Sequence, residues 1–348
     1  MSATPRLLSL ATAVPGNVLH QDEVAQGAAE LFAGSYANFA RLAPVYENAQ
    51  IDTRYSCVPL EWYQQDHGFA ERNRLYIENA VELLERAALE CLDRADLGLE
   101  DVDGMVVVSS TGVATPSLDA LLMERLGMRR DLRRLPIFGL GCAGGVIGLA
   151  RAGALARAEP ETRVLLLVVE LCGLTFRSGD RSKSNVIATA LFGDGAVAAL
   201  VSCQGEGPAL AAWGEHTWPD SLGIMGWEVK DDGLAVVFSR HIPTLVRQRM
   251  GAATSDFLAA HGLALEDVDA FVCHPGGAKV VEALEEVFGL EPGGLVHTRD
   301  ILREYGNMSA PTVLFVLERT LAEASSRRQL LTALGPGFTA GFLILEQP

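Results

Sequence analysis

The chain has 348 residues, of which 49% are hydrophobic and 21% charged, and it carries a net charge of −16. This length is sufficient for two hydrophobic cores, and the composition is that of an ordinary soluble globular protein. The negative charge argues against binding to nucleic acid and against docking to an anionic membrane surface.

The predicted elements alternate between strands and helices along the chain. The N-terminal apolar stretch ends at Pro15 and predicts a first buried strand rather than a secretion signal. Apolar residues recur at helical spacing over 77–91 and 280–288. Continuous apolar runs predict strands buried on both faces at 104–110, 163–171, 195–203, 269–275 and 341–347. This alternation predicts an α/β fold.

The six cysteines predict neither a metal site nor disulfides. They form no CxxC pair and no Cys/His cluster with the spacing of zinc ligands. Most lie in apolar runs, which favours buried thiols in a reducing compartment, so we expect a cytoplasmic protein. The longest apolar run, 164–171, contains Glu170 and is too short to cross a bilayer, so we predict no membrane span.

A short repeat indicates that the chain contains two related halves. The pentapeptide LEDVD occurs at 99–103 and at 265–269, an offset of 166 residues (265 − 99). Each copy leads into a predicted buried strand, and each half later has a Gly-flanked turn before an apolar helix. These two turns contain Cys142 and Asn307, which are 165 residues apart (307 − 142). We predict halves at 1–203 and 204–348, divided within the Gly-rich sequence SCQGEGPAL.

Cys142 is the strongest candidate for a catalytic nucleophile. It follows an extended stretch and opens a helix of small residues in the sequence GLGCAGG. A thiol at the N-terminus of a helix is favoured as thiolate by the macrodipole and by free N–H groups, and the glycines leave room for a substrate. The alternative is a small residue in a tight helix–sheet contact.

His274 and Asn307 are the candidates for groups that assist the thiol. His274 ends a predicted strand before a Gly-rich turn, where an imidazole commonly faces a cavity, and it could pair with a thiolate or donate to an oxyanion. Asn307 is interpreted either as the N-cap of the following helix or as an amide donor opposite Cys142 across the interface of the halves.

Five motifs together resemble the type III polyketide synthases, the chalcone synthase family. They are GCAGG at Cys142, HPGG after His274, YGNMS at Asn307, LFGDGA before Val197, and GPG at 335–337. The resemblance covers nearly the whole chain. It implies the thiolase-like fold, in which two pseudo-symmetric halves form an αβαβα sandwich, and it implies a homodimer.

The resemblance also implies the reaction. Cys142 would take an acyl group from an acyl-CoA starter, and malonyl-CoA would lose CO2 to give an enolate held by His274 and Asn307. Repeated condensation and ring closure would follow, without a cofactor or metal, and CoA thioesters would be the small-molecule partners. Compared with the plant enzymes, Val236 replaces an aromatic gatekeeper, and Cys172 and Thr115 are small. These differences favour bacterial members that use fatty acyl starters and make alkylpyrones or alkylresorcinols.

Further site residues are assigned by resemblance alone. Phe192 matches one gatekeeper aromatic and Val236 replaces the other, while Thr115 matches a residue that reaches into the partner's cavity. Residues expected to bind substrate are Phe192, Thr175, Cys172, Thr115, Trp227, Val236, Ser309, Gly335, Pro336 and Gly337. Residues expected to bind CoA are Arg41, Lys279, Gly276 and Gly277.

Two other functions fit the same sequence. A ketoacyl-ACP synthase III-like enzyme would use the Cys-His-Asn set for a single condensation, with an acyl carrier protein as donor. A non-catalytic acyl-CoA-binding protein on the same fold would keep Cys142 buried and inert. Starter length, the number of extensions, and aldol or lactone closure are left open by the sequence.

Overall fold

The computed structural model describes residues 3–32, 43–323 and 326–347. Within them the helices are α1 (Gln21–Phe32), α2 (Pro44–Asn48), α3 (Phe69–Arg94), α4 (Leu118–Leu126), α5 (Gly144–Ala158), α6 (Lys183–Leu191), α7 (Ile242–Ala260), α8 (Ala278–Val287), α9 (Val296–Tyr305) and α10 (Thr312–Ala322). The strands are β1 (Arg6–Ala13), β2 (Asn17–His20), β3 (Thr53–Ser56), β4 (Gly104–Val108), β5 (Arg133–Ile137), β6 (Arg163–Leu171), β7 (Asp194–Ser202), β8 (Ala209–Thr217), β9 (Met225–Lys230), β10 (Gly233–Phe238), β11 (Ala270–Cys273), β12 (Arg328–Gly335) and β13 (Thr339–Glu346).

The main strands form two sheets that meet at one point. The order of the first is β5-β4-β6-β7-β1 and that of the second is β8-β13-β12-β11, and they join where Arg6 of β1 pairs with Ala209 of β8. In the first sheet β4 runs parallel to β5 and β6, and β7 is antiparallel to β6 and β1. The second repeats this arrangement, with β11 parallel to β12 and β13 antiparallel to its neighbours.

Alternating side chains of these strands build five layers. Val106 and Val108 of β4 pack with α5 and α10, whereas Met105 and Val107 face the opposite way into a core with α3. In the second sheet Leu343 belongs to the α5–α10 core, and the adjacent Phe342 packs with α7 and α8. The layers are therefore α3, first sheet, α5 with α10, second sheet, and α7 with α8. The predicted αβαβα sandwich is confirmed.

The LEDVD repeat marks one structural device used twice. In each copy the first Asp accepts the N–H of the residue before the motif: Asp101 from Gly98 at 2.9 Å, and Asp267 from Ala264 at 2.8 Å. The second Asp fastens the start of the neighbouring strand, since the side chain of Asp103 accepts Arg163 N–H and that of Asp269 accepts Arg328 N–H. The side chains thus fix the entry of β4 and β11 beside β6 and β12.

The predicted division between the halves lies in the connection between β7 and β8. β7 ends at Ser202 and β8 begins at Ala209, and the intervening residues include Gly205 and Gly207 with φ of 102° and 143°. An added Cβ at Gly207 would lie 2.1 Å from Leu7 O, so the connection passes close to β1. The exact division after residue 203 stays a prediction.

Candidate active site

Cys142 lies on a short 3-10 turn, Gly141–Ala143, between β5 and α5. The turn packs directly on the Gly335–Pro336–Gly337 sequence, because an added Cβ at Gly141 would be 2.6 Å from Pro336 Cδ and one at Gly335 would be 2.4 Å from Leu140 O. Gly141 also has a φ of 46°, which favours glycine. The thiol is half-buried at the end of the central helix, as the sequence predicted, although a 3-10 turn precedes α5.

The surroundings of Cys142 oppose ionisation of its thiol. Burial raises the pKa of Cys142 to about 11, a hydrogen bond with the Ser309 side chain lowers it, and the charge of Glu170 raises it. The expectation that the helix terminus favours a thiolate is thus outweighed by desolvation in this environment. A thiolate at neutral pH requires a further positive charge or a proton acceptor.

Hydrogen bonds connect the segments that carry Cys142, Asn307 and His274. Ser309 hydrogen-bonds to the thiol through its side chain, and its backbone N–H donates to Asn307 Oδ1 at 2.8 Å. Because Oδ1 is the acceptor, Nδ2 is the donating end of the amide, and it reaches Gly276 O at 3.3 Å. Gly276 in turn donates its N–H to His274 O at 3.0 Å. The amide therefore has a fixed orientation.

Asn307 is not the N-cap of a helix, which was one of the two interpretations from sequence. α10 begins five residues later at Thr312, and α9 ends at Tyr305 before Gly306, whose φ is 68°. Asn307 instead forms an isolated parallel β-bridge with Phe192, in which its N–H donates to Leu191 O and its C=O accepts from Gly193 N–H. The sharp turn at Gly306 and this bridge place the amide beside the chain that precedes β7.

His274 is buried with both ring nitrogens unpaired. The side chain is 4% exposed, and neither Nδ1 nor Nε2 has a hydrogen-bond partner among the described residues. Its backbone N–H donates to Thr332 O at 2.9 Å, which continues the pairing of β11 with β12. Burial lowers the pKa of His274 to about 3, so the imidazole is neutral at neutral pH. A buried imidazole with two free nitrogens is available to a ligand as donor and acceptor.

An apolar cavity contains four of the predicted substrate residues. Cys172, Thr175, Phe192 and Val236 line it together. Leu191, Trp227 and Phe238 pack around these side chains, and the rings of Phe192 and Trp227 are 6.2 Å apart. Trp227 therefore stands beside Phe192 and is not among the residues that line the cavity, so its bulk does not close this space.

The other side of this cavity is formed by α1 and β3, which the sequence analysis did not identify. Val24, Gly27, Ala28 and Leu31 of α1 line it, as does Arg54 of β3. Four residues border both the cavity and a neighbouring surface groove, and they are Leu19, Gly27, Leu60 and Gln64. The spacing of the buried residues Val24, Ala28 and Phe32 is a helical signal that could have indicated α1.

The remaining predicted residues lie elsewhere. Thr115 is exposed, precedes a cis peptide bond to Pro116, and does not line the cavity of its own chain. Lys279 is exposed on the first turn of α8, next to Gly276 and to Gly277, whose φ is 149°. Arg41 lies outside the described residues. The structure thus gathers four of the predicted substrate residues around one cavity, whereas Thr115 and the exposed Lys279 lie apart from it.

Glu170 is a buried carboxyl that the sequence analysis treated only as an interruption of an apolar run. Its Oε2 accepts from Ser110 N–H at 2.9 Å and Thr111 Oγ1 at 2.7 Å, while Oε1 has no partner. Burial raises the pKa of Glu170 to about 7. Since its charge acts on Cys142, the protonation of this group bears on the nucleophile.

The described part of the chain contains neither a group of metal-binding side chains nor a membrane-spanning helix. In residues 3–32, 43–323 and 326–347, no three His, Cys, Asp or Glu side chains are grouped closely enough to hold a metal ion. Over the same part of the chain, every helix is too short or too polar to cross a membrane.

Comparison with known families gives two matches that divide the chain. The model for the N-terminal domain of chalcone and stilbene synthases matches residues 2–205, and the model for their C-terminal domain matches residues 211–347. Together they cover nearly all of the sequence.

Individual proteins are similar over the full length. A putative chalcone synthase of Bacillus subtilis is 39% identical and is covered over 98% of both chains. A 1,3,6,8-tetrahydroxynaphthalene synthase of Streptomyces peucetius is 38% identical, covering 96% of this chain and 91% of the relative. The crystal structure of the enzyme of that name from Streptomyces coelicolor superposes with a TM-score of 0.94 at 28% identity, over 99% of both chains.

Proposed function

The chain belongs to the chalcone and stilbene synthase family of type III polyketide synthases, and from this premise we propose how its residues carry out decarboxylative condensation. Cys142 is the nucleophile that holds the growing acyl chain, and His274 and Asn307 are the donors for the enolate. The observation that carries this assignment is the set of hydrogen bonds linking Cys142, Ser309, Asn307 and the residues after His274.

Loading begins with the neutral forms of thiol and imidazole. As Cys142 Sγ attacks the thioester carbonyl of the starter, its proton passes to the unpaired imidazole of His274, which has an open nitrogen to receive it. The C–S bond to CoA then breaks, and the CoA thiolate leaves with that proton. The imidazole returns to its neutral state, and an acyl thioester remains on Cys142.

Condensation requires stabilisation of an enolate. Malonyl-CoA loses CO2, and the electrons of the broken C–C bond form an enolate whose oxygen accepts hydrogen bonds from His274 and from Asn307 Nδ2. The enolate carbon attacks the acyl-Cys142 carbonyl, Cys142 thiolate leaves, and a β-ketoacyl-CoA extended by two carbons results. Two uncharged donors suit this oxyanion, and the loss of one such donor costs on the order of 10²–10³ in rate.

We propose a fatty acyl starter, whose chain occupies the cavity between Phe192 and α1. Most of its lining residues are apolar, and it extends from Cys172 and Phe192 to Gly27 next to the surface groove. Each methylene group buried there contributes about 0.8 kcal/mol. A pyrone or resorcinol-type ring closed from this chain is the expected product.

The similarity to the tetrahydroxynaphthalene synthase of S. peucetius favours a different starter, malonyl-CoA itself. By its name, that relative makes an aromatic product without an alkyl chain. If this chain acted alike, malonyl-CoA alone would be converted and the apolar cavity would not select for acyl length.

The deciding experiment is a product analysis with purified protein, malonyl-CoA, and acyl-CoA starters from two to sixteen carbons. A fatty acyl starter predicts turnover that rises with chain length and product masses that include the starter. Equal turnover for all starters, or products from malonyl-CoA alone, would overturn the starter proposal. A single two-carbon extension that requires an acyl carrier protein would favour the synthase III-like alternative instead.

Variants of two cysteines test the assignment of the nucleophile. Cys142→Ala should abolish acyl loading while decarboxylation of malonyl-CoA continues, because His274 and Asn307 remain. Cys203→Ala is the matched control, since Cys203 is also half-buried and its thiol donates to Ala156 O, away from His274 and Asn307. If Cys142→Ala still formed an acyl-enzyme, or if condensation survived it, Cys142 would not be the nucleophile.

We also propose a homodimer formed through the edge strand β5. β5 is the last strand of its sheet, and the nearby Phe138 and Val113 are 63% and 50% exposed. Thr115 lies on the same loop as Val113 and would approach the partner's cavity. Sedimentation of the purified protein tests the dimer.

Two further expectations complete the proposal. CoA would bind near the exposed Lys279, and the free thiols agree with a cytoplasmic location.

A further inference from the structure

Arg54 is a buried cation that is bound by backbone carbonyl groups. Its side chain lies on β3 and is 3% exposed. Among the described residues, the side chains that act electrostatically on it are those of Tyr46 and Tyr63, and no carboxylate forms an ion pair with it. Its guanidinium donates instead to Thr189 O at 2.5 Å, Ala190 O at 3.2 Å and Phe192 O at 3.3 Å.

These carbonyls belong to the C-terminus of α6, which ends at Leu191. The last carbonyls of a helix lack intrahelical partners and carry partial negative charge, so a cation there is stabilising. A guanidinium presents five N–H groups in a planar fork and can hold several carbonyls at once, which an ammonium group cannot do with the same geometry. Arg54 thus fixes the backbone from 189 to 192.

Asn307 holds the same stretch of backbone from the other side. Its N–H donates to Leu191 O at 2.8 Å, and its C=O accepts from Gly193 N–H at 3.1 Å. Arg54 also packs against both backbone segments, because added Cβ atoms at Gly193 and Gly306 would lie 3.4 and 3.5 Å from Arg54 Cβ. The 189–193 backbone is therefore held on one side by the Arg54 guanidinium and on the other by the β-bridge between Phe192 and Asn307.

We propose that Arg54 is a positioning residue for condensation: by holding the C-terminus of α6, it keeps Asn307 where its amide donates to the enolate. The inference rests on the proposed role of Asn307. The guanidinium of Arg54 donates to the 189–192 backbone and, among the described residues, to neither the thiol nor the imidazole; Arg54 also lines the acyl cavity, so the test below uses malonyl-CoA without a starter. A displacement of about 1 Å in a reacting group costs about 10²-fold in rate.

The test compares Arg54→Lys and Arg54→Gln with wild type in decarboxylation of malonyl-CoA, measured as CO2 release. Enzyme concentration is normalised to the folded fraction of each preparation, measured by circular dichroism after gel filtration, so unfolded protein is not counted. We expect kcat to fall about 10²-fold in both variants, with KM for malonyl-CoA and the alkylation rate of Cys142 within about twofold of wild type. Arg94→Lys is the control. Arg94 is the last residue of α3 and also donates to a backbone carbonyl, Leu10 O of β1, but it does not contact the 189–193 backbone.

A double variant separates positioning from a general structural effect. If Arg54 acts through Asn307, then Arg54→Lys in the Asn307→Ala background causes no further loss of decarboxylation. Losses that multiply, or a kcat for Arg54→Lys equal to that of wild type, would overturn the proposal. Wild-type protein that releases no CO2 from malonyl-CoA would instead contradict the proposed function itself.

Discussion

The backbone N–H of Ser309 donates to Asn307 Oδ1 at 2.8 Å, which turns the Nδ2 end of the amide away from Ser309. Ser309 itself has a φ of 58°, an uncommon value for a residue other than glycine, and it also hydrogen-bonds to Cys142. The orientation of the amide is therefore set by the backbone of the residue that contacts the nucleophile.

Replacing Asn307 by Asp tests that orientation. The carboxylate keeps an oxygen for Ser309 N–H, but it replaces the Nδ2 donor by an anionic oxygen that repels the enolate. We expect CO2 release from malonyl-CoA to fall on the order of 10²–10³-fold, and alkylation of Cys142 to become slower rather than faster, because a nearby carboxylate raises the pKa of the thiol as Glu170 does. Activity of Asn307→Asp within a few-fold of wild type would show that the amide is not an enolate donor.

Removing His274 should expose the effect of burial on the thiol. In the wild type, a pKa of about 11 leaves only about 10⁻⁴ of Cys142 as thiolate at pH 7, so attack by the thiol depends on transfer of its proton to the imidazole, which His274→Ala removes. We expect iodoacetamide alkylation of His274→Ala to be slow at pH 7 and to rise about tenfold per pH unit up to about pH 11. The wild type should react faster at pH 7. Identical pH profiles would exclude proton transfer between these two residues.

Enlarging Gly27 should shorten the preferred starter. Among the described residues, and apart from the backbone of α1 itself, no atom lies within 4 Å of an added Cβ at Gly27, and replacing glycine within α1 favours the helix. Gly27→Leu should fill space otherwise taken by several methylene groups and lower kcat/KM for a twelve-carbon starter about 10²-fold, with a six-carbon starter little affected. Gly27→Ala, which adds only a methyl group, is the control. An unchanged length preference in Gly27→Leu would place the acyl chain elsewhere.

Glu170 should make stability depend on pH. Burial raises its pKa from 4.5 to about 7, so the folded protein holds a proton that the unfolded chain releases, and stability falls as pH rises from about 4.5 through 7. At pH 8 this destabilisation amounts to about 3 kcal/mol. Glu170→Gln should therefore be close to wild type at pH 4.5 and should unfold at a higher urea concentration at pH 8. The prediction is wrong if the difference does not grow with pH.

Local patterns in the sequence were sufficient for the fold, and they also carry the predictions for the central site residues. Buried strands appear as continuous apolar runs, and the LEDVD repeat marks a duplicated strand entry because the same two carboxylates make the same backbone hydrogen bonds in each half. Cys142, His274 and Asn307 lie in short Gly-containing turns, where motif and spacing carry the information. Such features depend on neighbouring residues, so a single sequence contains them.

Tertiary structure alone decided which distant residues support that site. Arg54 contacts carbonyls at positions 189–192, more than 130 residues away, and α1 approaches Cys172 and Phe192 only in the folded chain. Asn307 pairs with Phe192 rather than capping a helix, because Gly306 turns the chain toward α6. Hydrogen bonds to backbone carbonyls are possible for any residue sequence, so contacts of this kind leave no pattern that a sequence could show in advance.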